Sequence, residues 1–295
     1  MSEKLCVSII IPIYNAAPYI QRCIDVLSKQ DFVKPFEIII VDDASTDKNL
    51  KNYLNGLEKD EKISVTFRDT NGHISAATNS ALSLASGEFV TFLDHDDVYE
   101  SEKLSCMLAA AERHPNADAI IGPNRMWYSW DEESQRSSDS PQVLGITTET
   151  VLAPPGMING FLANSSKTPL GPLFRTKTLR TLGGYDPTFK DMHEDQVFMV
   201  RLMLKHPIVV IDDVLHRYRQ HTDSCVAQTH ANGKDKQARY RFLSWMKEEL
   251  DRQDSRHPEL DKQIDIQLKE CRRRHGRRLQ RVMINLRETL TGRNQ

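Results

Sequence analysis

Glu88-Phe89-Val90-Thr91-Phe92-Leu93-Asp94-His95-Asp96-Asp97 is the stretch whose reading decides the fold. An apolar, β-rich run ends abruptly in three acids within four positions. Such a run fills a strand buried between helices in a parallel sheet, so its last residues emerge at the sheet's carboxyl edge. That edge is where open α/β sheets bind ligands. Carboxylates crowded there repel one another and lose hydration, and a divalent cation relieves both costs. Asp94, Asp96 and Asp97 thus read as oxygen ligands for a hard cation, Mg2+ or Mn2+, of the kind that accompanies a diphosphate. The same acids also suit a solvated turn that caps the next helix. Both readings stand until the neighbouring segments are considered.

Upstream, Leu5 to Ile13 is a dense β-branched run, a first buried strand, with Pro12 removing a ladder donor at its end. Tyr14 and Asn15 then project over the carboxyl edge, where Tyr14 is either a platform for a flat base or a half-buried aromatic. Ala17 to Gln30 carries Ile20, Cys23, Ile24 and Leu27 at helical spacing. Glu37 to Val41 is a second strand finishing in Asp42 and Asp43, with Ser45 and Thr46 as turn and cap residues. A helix over Lys48–Lys59 and a strand over Lys62–Phe67 follow. After Arg68, Asn71 and Gly72 comes a helix from about Ile74 to Ser86, with Ala76, Ala77, Ser80, Ala81 and Ala85 on one face. Small residues let it lie close on the sheet, and Gly87 is expected to close it. The alternation of strand and helix, with polar or acidic strand ends, predicts a doubly wound sheet with a ligand cleft. No G-x-G-x-x-G follows the first strand and no P-loop is present, so neither nucleotide signature applies.

The chain has 295 residues, 39% hydrophobic and 27% charged, with a formal net charge of -2. This is ordinary for a globular protein with one large α/β domain or a domain plus an appendage. Five scattered cysteines, with no C-x-x-C pair, argue for a reducing compartment and against a disulfide framework or zinc site. No signal peptide or bilayer-length apolar run is visible. A cytoplasmic location is expected, with peripheral contact on the inner membrane face open to the basic C-terminus.

Four segments carry a family resemblance: Val7 to Asn15, Ile40 to Asp47, Asn71 to Asn79, and Phe92 to Asp97. In this order and spacing they resemble an inverting family-2 glycosyltransferase of GT-A fold, and the likeness covers roughly Leu5 to Ser224. The resemblance implies a mostly parallel central sheet flanked by helices, a nucleotide-sugar donor, a divalent metal, and single-displacement transfer of the sugar to an acceptor hydroxyl. It implies that Pro12 and Tyr14 line the nucleoside pocket with Asn15 beside them, that Asp42 contacts the base, and that Arg68 and Asn79 lie near the donor. Asp94 then holds the ribose or sugar, His95 stands with it, and Asp96 coordinates the metal.

The second half is expected to supply the acceptor side. Glu102 to Arg113 reads as helix, and Ala119 to Ile121 as a strand running into Met126-Trp127-Tyr128-Ser129-Trp130. Those aromatics suit either the C–H faces of a sugar or ordinary packing. Asp131 to Pro141 is Ser-rich and polar, a lid or a tolerated insertion. Gly171-Pro172-Leu173-Phe174-Arg175 and Leu182-Gly183-Gly184-Tyr185-Asp186 again resemble the family and lead to His193-Glu194-Asp195-Gln196 at a helix start. Acids there compensate a helix dipole in any protein. Adjacent helical residues point about 100° apart, so only one can aim at a substrate. By the family pattern Asp195 is the base, and Glu194 supports it or binds the acceptor. Beyond a β-rich run over Pro207–Ile211, Arg219 is a candidate for the diphosphate. His221 is a candidate for the metal shell, beside the commoner structural role of a lone histidine.

From Asp235 the composition becomes charged helix, which divides the chain into a catalytic region over 1–230, split near residue 100, and an extension over 231–295. Residues 271–295 hold eight Arg against one Glu, around Leu279, Val282, Met283, Leu286 and Leu290. Such a helix lies on an anionic membrane or docks on a protein surface, and the interruption at Gly276 favours docking. The arginines are not interleaved with aromatics, so nucleic acid is not an expected partner. Two function classes follow: a transferase acting from a UDP-sugar onto a surface glycan or lipid-linked glycan, or a non-catalytic nucleotide-sugar or glycan-binding subunit on the same fold.

Overall fold

The computed structural model describes residues 5–17, 19–130, 138–142, 144–145, 148–163, 168–190, 192–253 and 257–273. The chain forms two compact units, Met1–Ala227 and Gln228–Gln295.

The first unit is built outward from β1 (Val7–Ile13), buried along its whole length. Ile9, Ile11 and Ile13 share a core with Ile20, Cys23 and Leu27 of α1 (Ile20–Leu27). Each fully buried aliphatic side chain of this kind contributes roughly 1.5–3 kcal/mol, so the β1 file anchors the edge that carries the site. Next come β2 (Phe36–Asp42), α2 (Lys48–Leu57), β3 (Ile63–Phe67), α3 (His73–Leu84) and β4 (Phe89–Phe92). β2 and β4 pair in parallel with opposite flanks of β1, and β3 lies outside β2. The chain therefore winds away through β2 and β3 and returns to the other side of β1. The carboxyl ends of β1 and β4 frame the switch point at which such sheets open a crevice.

The remaining elements of this unit are β5 (Val98–Tyr99), α4 (Lys103–Arg113), β6 (Ala119–Ile121), β7 (Asn124–Trp127), β8 (Ser140–Pro141), β9 (Thr150–Leu152), α5 (Ile158–Ala163), β10 (Leu173–Arg175), α6 (Thr176–Thr181), α7 (Glu194–Met203), β11 (Ile208–Val210) and β12 (His216–Arg219). They extend the sheet to the order β3-β2-β1-β4-β10-β6-β11-β9. β10 enters antiparallel between β4 and β6, which brings the Thr168–Pro172 loop over the end of β4. A second sheet, ordered β5-β12-β7-β8, has no counterpart in the sequence reading. Its strands are too short to show a period, and β12 meets β5 and β7 only through long-range pairing.

Two local expectations change. α3 ends at Leu84 with Ala85 as its cap, and Gly87 serves a close crossing instead. A Cβ there would come within 2.6 Å of Ser8 N, and Gly87 N donates to Ser8 Oγ at 2.9 Å. The aromatics after β6 do not form an exposed sheet end: Trp127 is 3% exposed. Most of the Ser-rich stretch 131–141 lies outside the described residues.

In the second unit, α9 (Asp235–Arg252) buries Phe242, Leu243, Met246 and Leu250 along one stripe. A helix over residues 258–273 buries Leu260, Ile264 and Leu268. A Lys247–Asp265 ion pair and an Arg239–Gln267 hydrogen bond join the two. α8 (Cys225–Ala231) spans the division between the units. Among the described residues, no helix is long and apolar enough to cross a membrane. The arginine-rich stripe beyond residue 273 lies outside the described residues.

Candidate active site

The site grows from the turn after β4. Asp97 N donates to Asp94 O at 3.0 Å, and the tight turn sends the three acidic side chains in different directions. Asp94 faces a cleft of about 580 Å3, counting its solvent-open part, together with Pro12 of β1, Phe92, Tyr185, Glu194 and Asp195. Asp96 Oδ2 meets His221 Nε2 at 2.9 Å. Asp97 turns inward, where Oδ1 accepts from Arg219 N at 2.8 Å and Oδ2 meets His216 Nε2 at 2.9 Å. Burial, with the charges of Asp96 and Asp94, pushes the Asp97 carboxyl well above the usual range. Asp97 thus anchors β12 behind the site and does not join its acidic face.

Asp195 reaches the same cleft from the start of α7. His193 enters the helix in the left-handed region at φ 73, a conformation uncommon outside glycine and associated with functional sites. Gln196 N donates to Asp195 Oδ1 at 2.7 Å. Burial raises the Asp195 pKa, opposed in part by that backbone bond and by the nearby Thr168 hydroxyl. Asp94 is pushed up to about 7 by burial and by the charges of Asp96 and Asp195. The two carboxylates thus share one poorly hydrated space and disfavour each other's ionisation.

The metal set expected from sequence comes together only in part. No group of three or more His, Cys, Asp or Glu side chains among the described residues is arranged to hold a cation. Asp94 diverges from Asp96 because successive residues of the turn radiate. Asp96 and His221 do pair, and His221 Nδ1 is buried without a partner. Burial alone would raise Asp96, yet the His221 hydrogen bond and nearby imidazoles hold its carboxyl below the usual range. An ionised carboxylate beside an imidazole is a donor pair that would suit a Mn2+ or Mg2+ ion.

The other candidates divide between the cleft and its supports. Tyr14 stands at the end of β1, 48% exposed, and Asn15 follows at φ 51, with Asn15 N donating to Ser45 Oγ at 2.8 Å. Asp42 is sealed at 0% exposure, accepting from Ser45 N and Oγ, so it holds the rim and does not face a base. Arg68 donates through Nε to Asp43 at 2.8 Å and through Nη1 to Ser80 Oγ, away from the cleft lining. Asn79 grips Tyr185 through both amide atoms, at 2.8 and 2.9 Å, which fixes the ring beside Phe92. Arg219 is 3% exposed, not set out toward a diphosphate. Its guanidinium lies 4.9, 4.6 and 4.8 Å from the Tyr19, Trp127 and Trp130 rings, and Nε donates to Asp96 O. The His95 ring lies tilted against Tyr19, with the centroids 6.2 Å apart, and burial lowers its pKa.

Sequence reasoning missed several participants. Tyr19 stands 5.4 Å from the His221 ring, and Thr168 and His216 line the cleft. Lys103 is fully buried with Nζ 4.4 Å over Tyr99, its pKa lowered to about 7 by burial despite Asp97. Only a lysine opening an otherwise apolar helix face hinted at the last.

A sequence model described as "Glycosyl transferase family 2" matches residues 8–174, more than half of the chain, and the chain belongs to that family. The chain is 30% identical over 217 residues to poly(ribitol-phosphate) beta-N-acetylglucosaminyltransferase TarS of Staphylococcus aureus (strain Mu50 / ATCC 700699), covering 72% of this chain and 35% of that one. It is 31% identical over 132 residues to glycosyltransferase GlyG of Streptococcus pneumoniae serotype 4, covering 45% and 42%. It therefore spans less than half the length of these relatives. The S. aureus TarS 1-349 crystal structure in complex with UDP-GlcNAc superposes with TM-score 0.66 at 24% identity, covering 83% of this chain and 66% of that one. Mannosyltransferase PcManGT from Pyrobaculum calidifontis, solved with GDP-Man and Mn2+, gives TM-score 0.60 at 18% identity, covering 90% and 70%. These likenesses establish the GT-A fold.

Proposed function

We propose that the chain is a metal-dependent inverting glycosyltransferase, moving a sugar from a UDP-sugar to an acceptor hydroxyl in surface glycan synthesis. The observation that carries this is the convergence of Asp94 and Asp195 on one cleft at the switch point of the sheet. TarS, whose name gives a poly(ribitol-phosphate) acceptor and whose structures hold UDP and UDP-GlcNAc, supports the donor and glycan class.

In this reading Tyr14 and Asn15 meet the nucleoside at the end of β1, and Asp94 takes a hydroxyl of the ribose or sugar. Asp96 and His221 would hold a divalent ion, as the Mn2+ of PcManGT suggests, which neutralises charge on the departing diphosphate. Asp195 Oδ1 is held by Gln196 N, leaving Oδ2 to take the acceptor proton. The acceptor oxygen bonds to the anomeric carbon as the bond to the diphosphate breaks, and that electron pair leaves with the phosphate. Burial of Asp195 raises its basicity toward that of a useful proton acceptor. Glu194, on the same cleft, steadies the acceptor. The acceptor is a glycan or lipid-linked glycan, reached in the cytoplasm, with residues 271–295 supplying a peripheral membrane or partner contact.

A panel of nucleotide sugars with and without Mn2+ tests the donor by thermal shift, since a bound ligand stabilises the fold by mass action. Asp195→Asn is expected to retain UDP binding and lower transfer by about 10^2–10^4-fold. A wild-type chain that binds donor but neither hydrolyses nor transfers it is a binding subunit, and the transferase reading then fails.

A further inference from the structure

The cleft contains buried polar atoms that have no hydrogen-bond partner of acceptable geometry. His216 is 2% exposed and lines the cleft, yet its Nδ1 has no partner; Thr168 also lines it, and Oγ1 likewise has none. The Thr168 hydroxyl lies near enough to favour the Asp195 anion but makes no hydrogen bond of acceptable geometry. A buried polar atom without a partner pays the cost of losing its water. Native proteins keep such atoms where something else completes them.

The surroundings hold both atoms in place. Asp97 Oδ2 fixes His216 through Nε2 at 2.9 Å, and Asp97 is itself held by Arg219 N. Thr91 Oγ1 donates to Gly171 O at 3.1 Å, Asn124 Nδ2 to Thr168 O at 3.2 Å, and Leu170 N to Asn124 Oδ1 at 3.1 Å. The loop over His216 is thus pinned at three points. Gly171 sits in the left-handed region at φ +56, and a Cβ there would come within 2.9 Å of His216 Nδ1.

We infer that His216 Nδ1, on the same cleft as the Thr168 hydroxyl, is a specificity-determining contact for a hydroxyl of the donor sugar. This rests on the transferase reading, which places the sugar between Asp94 and Asp195. A hydroxyl both donates and accepts, so it can pair with Nδ1 of either neutral imidazole tautomer. A methylene or an epimer with its hydroxyl turned away would leave Nδ1 and Oγ1 unpaired, the circumstance in which sites discriminate most strongly.

Two variants separate this role from a structural one. In His216→Gln the amide occupies the place of Nε2 and keeps the bond to Asp97, but nothing polar remains at Nδ1. In His216→Asn the amide stands at the place of Nδ1 and the bond to Asp97 is lost. Affinities are measured by calorimetry with Mn2+ for UDP, UDP-glucose, UDP-galactose, UDP-GlcNAc and UDP-GalNAc. The wild type is expected to prefer one sugar, and His216→Gln to compress that preference by about 10-fold while its UDP affinity stays unchanged. His216→Asn is expected to keep the preference despite a lower Tm. The inference is overturned if His216→Gln keeps the full preference, if it loses UDP and every UDP-sugar affinity in equal proportion, or if the wild type binds all four sugars alike. A wild-type chain that binds neither UDP nor any UDP-sugar instead removes the transferase reading beneath it.

Discussion

Asp94→Asn should make this protein more stable while removing the carboxylate to which the proposed chemistry assigns a ribose or sugar hydroxyl. In the fold the Asp94 carboxyl is pushed from 3.8 to about 7 by burial and by the charges of Asp96 and Asp195. The folded pKa lies above the unfolded one, so the native state binds this proton more tightly. Stability therefore falls as pH rises from about 3.8, and the cost is complete above about 7. At about 1.36 kcal/mol per pKa unit the full cost is roughly 4 kcal/mol. Asp94 is only part-buried, and solvent screening reduces this to about 2 kcal/mol. Asn keeps the shape and carries no charge. In metal-free buffer with EDTA at pH 8, thermal unfolding should place Asp94→Asn roughly 4–8 °C above wild type. At pH 5 the unfolded chain is ionised but the folded Asp94 is still protonated, and the gap should shrink to roughly 2 °C. A variant no more stable than wild type at pH 8, or a gap that is the same at both pH values, would refute the account of Asp94 as a desolvated, repelled carboxylate.

Asp96→Ala should abolish the gain in donor affinity on adding Mn2+, because His221 alone is a weak ligand for a hard cation; calorimetry with and without metal reads this, and an unchanged metal-dependent increment contradicts it. Gly171→Ala should lower Tm by roughly 10 °C, from about 1–2 kcal/mol for a left-handed backbone and about 1–3 kcal/mol for overpacking. The new Cβ would meet His216 Nδ1 at 2.9 Å and both Phe92 O and Tyr99 OH at 3.0 Å, and a Tm within 2 °C of wild type would show that the loop yields.

The supporting residues explain why so many polar groups surround one cleft. Asp43, Arg68 and Gly72 tie the end of β2 to the start of α3, with Arg68 Nε at 2.8 Å and Gly72 N at 3.0 Å from Asp43 Oδ1. Ala44 and His73 hold left-handed φ values of 63 and 64 beside this knot. Strain and buried charge of this kind cost stability and persist where the surroundings over-determine them. They set the rim on which Tyr14 and Asn15 stand.

Local pattern alone determined the winding of the first half, the acids at successive strand ends, and the start of α7 at Glu194. Those features depend on periodicity and on residue chemistry within a few positions, which a linear reading contains. The tertiary structure decided which carboxylate faces what. Asp94, Asp96 and Asp97 read alike in the chain, yet they turn to the cleft, to His221 and to His216. The partners of Asp96 and Asp97 lie 125 and 119 residues away. Asp42 and Arg219 read as ligand contacts and are instead closed in by neighbours from other elements. An ionisable side chain takes its role from the charge, water and hydrogen-bond partners around it, and those are assembled only when β12, α7 and the Thr168–Pro172 loop pack against the end of β4.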